Sequence, residues 1–142
     1  MLDPYQKNAL EVRMMLLEAS LRSAITLIQD PPEGGLLTRV RPLPTGAGSR
    51  LERLFMAMLE ELAAIVREFD LRPRDEEVGR LISADMAGAW SDMQEVLSGR
   101  LKRYGNVDPR LSSQLDPHLQ RLIRMALEAG DLAREGGRSE AM

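Results

Sequence analysis

Apolar residues return at alternating spacings of four and three along four stretches of the chain, the period of amphipathic α-helices rather than of strands. In the first stretch Leu10, Met14, Leu17, Leu21, Ala24 and Ile28 form one seam. Asp3 as N-cap and Pro4 at the first helical position open a helix that Asp30, Pro31 and Pro32 close. Met15, Leu16, Ile25 and Leu27 widen its apolar surface beyond a two-stranded seam, which predicts neighbours on both sides. The second stretch, Leu51, Phe55, Met58, Leu62, Ile65 and Phe69, is the cleanest heptad. Ser49 and Glu52 stand before it at capping-box spacing, and its helix is expected to end near Asp70.

The third stretch carries Ile82, Met86, Ala89, Met93, Leu97, Leu101 and Tyr104. Asp75 is its expected N-cap, Glu76 and Glu77 suit the first turn of the dipole, and Gly105 is placed to end it. Gly79, Gly88 and Gly99 interrupt this helix at about 1 kcal/mol each relative to Ala, so they mark either a close backbone approach or tolerance. The fourth helix is expected to start at Asp116 and Pro117 and to bury Leu119, Leu122, Ile123, Ala126 and Ala129, extended weakly by Leu132 and Ala133.

The connections complete the expected fold. Residues 30–48 are rich in Pro and Gly and longer than most links between bundle helices. Leu36, Leu37, Val40 and Leu43 lie in this link, which predicts that it packs along the bundle or against another chain. The short connector with Pro73 makes the second and third helices antiparallel neighbours, and Asp108-Pro109 can start a short helical turn before the fourth. The expected fold is all-α: an antiparallel four-helix bundle in one domain over 1–135, with a long Pro/Gly-rich connection between helices 1 and 2. A polar tail over 136–142 is expected to be disordered.

Composition changes this picture mainly by exclusion. A chain of 142 residues, 44% hydrophobic and 29% charged, can bury a core without disulfides or metal. Aromatics make up only 4% while Met reaches 9 residues, so Leu, Met, Ala and Ile must fill that core. There is no Cys and the one His is His118, which removes most metal sites and most pairs of nucleophile and base. No P-loop, zinc spacing or nucleophile elbow occurs, so the expectation is a protein that is not an enzyme and carries no cofactor. No uncharged apolar stretch approaches membrane-spanning length and no basic-flanked apolar leader opens the chain. A cytoplasmic protein is therefore expected.

Charge is uneven around a net −3. Residues 60–95 are mainly acidic, whereas Arg39, Arg41, Arg50 and Arg53 surround the long link and Arg100, Lys102, Arg103, Arg110, Arg121 and Arg124 follow the third helix. A pI near 5.3, scarce Lys and few aromatics argue against nucleic acid as partner. Opposite fields on one surface fit self-association or a protein partner better.

Few side chains offer chemistry. Asp85 and Asp92 share one side of the third helix and could serve a metal or acid and base roles, but the Glu-x-x-His of carboxylate-bridged metal bundles is missing. A boundary pair of solvated or salt-bridged acids is the plainer account. Trp90 lies on the other flank of the stripe, as an anchor for a partner or a half-buried core edge. His118 has no partner in sequence and is expected at the surface. Two functions follow. One is a non-catalytic interaction module, an adaptor or small accessory subunit, that forms a homodimer or binds another protein. The alternative is a regulatory or sensor bundle holding a small apolar or anionic ligand between helices. The candidate interaction or pocket residues are Trp90, Met86, Met93, Asp85, Arg100, Arg103, Arg121 and Arg124.

Overall fold

The computed structural model describes the backbone of residues 1–141 and the side chains of residues 1–136. The chain is all-helical, with no strand among the described residues, and divides into two compact units, Met1–Pro73 and Arg74–Met142.

The first unit is an antiparallel pair of long helices, α1 (Pro4–Gln29) and α2 (Ala47–Glu68). At the start of α1 the capping box is complete: Asp3 Oδ1 accepts the Gln6 N–H at 2.8 Å, and Gln6 Oε1 accepts the Asp3 N–H at 3.0 Å. The seam of α1 is half-buried along its length and reaches full burial at Leu21, while Leu62 is the buried residue of α2. At one end of the pair Gly48 lies against Ile28, and at the other Glu11 accepts the Arg72 N–H at 3.0 Å.

The start of α2 departs from the expected capping box. Gly46 is the N-cap, in the left-handed region at φ 88°, and the helix begins two residues before Ser49. Glu52 is engaged elsewhere, accepting a hydrogen bond from Gln29 Nε2. A Cβ on Gly48 would come within 3.2 Å of Ile28 Cγ2, so the close approach of the two helices there favours glycine.

The end of α2 is a Schellman motif. The Leu71 N–H reaches Val66 O at 2.9 Å and the Asp70 N–H reaches Arg67 O at 3.4 Å, with Asp70 at φ 51° where glycine is usual. Leu71, the residue after the turn, is buried. The link between α1 and α2 turns at Gly35, whose N–H donates to Thr38 O and Oγ1. Leu36 and Leu37 stand fully exposed, so they do not pack along the helices, whereas Leu43 joins Leu27 and Ile28 around a hollow at the end of α1.

The second unit pairs α3 (Val78–Gln94) with α6 (Asp116–Ala141), and between them come two single turns, α4 (Ser98–Leu101) and α5 (Leu111–Gln114). Asp75 does not cap α3. The N-cap is Glu77, whose backbone carbonyl accepts the Arg80 and Leu81 N–H groups, and residues 75–77 stay exposed with no apolar side chain to hold them against α6. The expected run to Tyr104 also breaks at Gln94, and a new helix starts at Ser98 followed by a 3-10 turn over Lys102–Tyr104. The cause is Asp116, which was expected to cap its own helix. Its Oδ1 accepts the Ser98 N–H at 2.8 Å and its Oδ2 accepts the Ser98 hydroxyl at 2.6 Å, so it caps α4 instead. Gly105, at φ 147°, ends the 3-10 turn rather than a continuous third helix, and Asp108-Pro109 leads into α5.

The backbone of α6 is helical to Ala141. The tail expected over 136–142 falls almost entirely on residues whose side chains, and for Met142 the backbone, lie outside the described residues.

A close helix contact in this unit occurs at Gly130. Gly130 is buried, and a Cβ there would meet Met86 Cβ at 3.8 Å and Ser83 Oγ at 3.9 Å. Gly88 and Gly99 face open space, which is tolerance. These distances at Gly130 are ordinary van der Waals contact, so Gly130→Ala is expected to raise stability by about 0.5–1 kcal/mol through the lower cost of ordering Ala in a helix. A urea midpoint below that of the parent protein would show that α6 packs on α3 more tightly than these distances allow.

Candidate functional site

The α3 and α6 pair has two sides, and rotation around each helix decides which residues occupy them. Ser98 is level with Asp116, and Ser83 and Met86 are level with Gly130, so the helices are antiparallel and in a fixed register. Leu119, Ile123, Ala126, Gly130 and Ala133 form the strip of α6 turned to α3, and Leu119, Ala126 and Gly130 are buried. At about 100° per residue, Val78, Ile82 and Ala89 lie roughly 80° around α3 from its contact face. Leu122 lies about 60°, Met125 about 120° and Leu132 about 140° around α6 in the same sense, the last of them toward its outer flank. For antiparallel helices, rotations in the same sense end on the same side of the pair. This side is exposed: Val78 retains 70% of its surface, Met125 56% and Leu132 60%. At one end of this side the Asp116 and Ser98 hydrogen bonds tie the start of α6 to α4.

The side chains singled out from sequence distribute around this surface. Met86, Trp90 and Met93 are half-buried and turned toward α6, so they support the pair rather than face solvent. Asp85 and Asp92 are exposed along the outer flank of α3, next to the apolar side. Among the described residues no three His, Asp or Glu side chains converge on a metal-sized site. Arg100 and Arg103 are brought together by one acid: Glu95 Oε1 lies 3.6 Å from Arg100 Nη1, and Glu95 Oε2 accepts from Arg103 Nη2 at 2.8 Å. Arg121 and Arg124 stand apart from that clamp on the outer face of α6, where Arg121 Nη2 lies 3.0 Å from His118 Nδ1. The basic residues therefore form two groups with different partners.

Arg110 makes a third, local pairing. Its N–H, Nε and Nη2 all reach the Asp108 carboxylate and hold it below the usual Asp range. The contact is complete above the ordinary Asp range and is lost as pH falls through the lowered value, and at this exposed position its worth is small.

Two hollows lie in the first unit. One, of about 280 Å³, is bounded by Leu27, Ile28, Pro31, Leu43, Gly48 and neighbouring loop residues. The other, of about 560 Å³, follows the outer face of α2 from Ser49 to Glu60 with no second helix across it. Trp90, Met86 and Met93 line neither.

Sequence reasoning placed Leu122, and more weakly Leu132, in the buried face, whereas both are exposed, and it did not single out Val78, Met125 or the Ser98 and Asp116 latch. The signal for the exposed strip was present: Leu122, Met125, Ala129 and Leu132 step by three and four beside the strip that includes Leu119 and Ala126. No helix among the described residues is long and apolar enough to cross a membrane. Comparison with models of known protein families, with curated proteins and with solved structures gives no match.

Proposed function

We propose that this chain is a non-catalytic interaction module, an adaptor or small accessory subunit, that associates with itself through antiparallel four-helix packing. The observation that carries this reading is the contiguous apolar side of the α3 and α6 pair, exposed at Val78, Ile82, Leu122, Met125 and Leu132. Scattered exposed apolar residues are ordinary, but a rimmed strip running along two helices is the usual mark of an association surface. Met125 adds a flexible side chain of the kind that adapts to a facing surface. Charged groups stay at the edges, Asp85 and Asp92 on one flank and Arg121 and Glu128 on the other, in keeping with an apolar centre and polar rim.

Binding that favours the folded state raises the melting temperature with concentration. The melting temperature of the full chain is therefore expected to rise by several degrees over a hundredfold increase in protein concentration. A melting temperature independent of concentration would count against self-association as the function of this surface.

A further inference from the structure

Resting on that reading, we propose that the apolar side of the α3 and α6 pair binds the same side of a second copy, with α3 of each chain lying over α6 of the other. Two arrangements with two-fold symmetry can lay this side on itself. An axis across the helices sets α3 over α3 and brings Asp85 and Asp92 of both copies to one rim, like charges facing each other. An axis along the helices sets α3 over α6 and brings Asp92 of one copy level with Arg121 of the other, opposite charges, and Asp85 level with Glu128, so that only one of the two rim pairs is of like charge. Among the described residues the Asp92 carboxylate makes no hydrogen bond or ion pair, while Arg121 lies against His118 and would turn from it to reach the second copy.

The internal register favours the same arrangement. The pairing of Ser98 with Asp116 and of Met86 with Gly130 makes Ile82 level with Leu132 and Ala89 level with Met125. An axis along the helices preserves these levels between copies. The small Ala89 then receives the second copy's long Met125, the alternation of large and small residues that lets layers interdigitate, while Leu132 lies at the edge of the contact. The 17 residues of α3 span about 25 Å, and two helices side by side span about 20 Å. The pair therefore offers a footprint of about 500 Å² per copy, or about 1,000 Å² in all, the lower bound for a specific interface.

The test uses the full chain and measures the dimer dissociation constant by sedimentation for the parent protein, Met125→Glu, Asp92→Arg, Arg121→Asp and the double exchange. Met125 is more than half exposed, so its variant should keep the parent's far-ultraviolet circular dichroism. The expected result is a dissociation constant raised about 30-fold or more by Met125→Glu, as for a central interface residue. Each single charge reversal should weaken the dimer by about two- to tenfold, and the double exchange should recover most of that loss. A parent dimer that Met125→Glu leaves unchanged would overturn this surface while leaving self-association standing. Single reversals that the double exchange fails to recover would overturn the α3-over-α6 arrangement. A parent chain monomeric throughout would overturn the proposed function and this inference together.

Discussion

Leu21→Ala is expected to lower the stability of the first unit by about 2–4 kcal/mol, the cost of a buried leucine truncated where the surroundings collapse only partly. Leu21 retains 4% of its surface and stands midway along the seam of α1, with Leu17, Ala24 and Ile28 half-buried to either side. Among the described residues few side chains in this unit reach full burial, chiefly Leu62 and Leu71. A small domain has about 5–15 kcal/mol in hand, so losing one such anchor removes a large part of it. Leu16→Ala on the same helix provides the control. Leu16 is 51% exposed, and its truncation is expected to cost no more than about 0.5–1 kcal/mol. Urea unfolding of both variants, read as midpoint shifts at unchanged slope, separates the two. Equal losses would mean that α1 does not bury the seam described.

Asp116→Ala should cost about 2–3 kcal/mol, because it removes two hydrogen bonds at a half-buried site and leaves the first N–H of α4 without its acceptor. Ser98→Ala should cost about 1 kcal/mol, since the backbone bond to Oδ1 survives. Asp116→Asn should fall between them, keeping an acceptor for the N–H. The effect is local in origin: amide exchange should accelerate first over residues 98–104, the turn and 3-10 segment that the carboxylate holds against the start of α6. If Asp116→Ala and Ser98→Ala cost the same, the N–H bond contributes nothing and the break in the third helix needs another cause.

That break shows where sequence periodicity stops being informative. The stripe from Ile82 to Tyr104 keeps helical spacing throughout, yet the helix ends at Gln94, because a carboxylate distant in sequence takes the Ser98 N–H that an unbroken helix would have used internally. Long-range capping leaves no mark on local period. The complete capping box at Asp3 and Gln6, by contrast, was half legible, since the Asp and Pro pair uses only neighbouring residues. Gly46 displaced the Ser49 box because a left-handed N-cap and the contact of Gly48 with Ile28 set the helix start, and both depend on the partner helix.

Trp90, Met86 and Met93 were found by type, but they turn inward, and no local feature says which flank of a stripe meets the next helix. In α6 two strips of equal period lie side by side, and the small residues Ala126 and Gly130 mark the one that approaches α3. The other strip, with Leu122, Met125 and Leu132, was then left for solvent or a partner. Separation of Arg100 and Arg103 from Arg121 and Arg124 likewise follows from Glu95, whose position only the fold supplies.

The molar mass of the full chain in solution, measured by light scattering from low to high micromolar concentration, tests the central claim most directly. The account predicts a mass that climbs to twice the 15.9 kDa of the chain and holds there. A mass of 15.9 kDa at every concentration would contradict it.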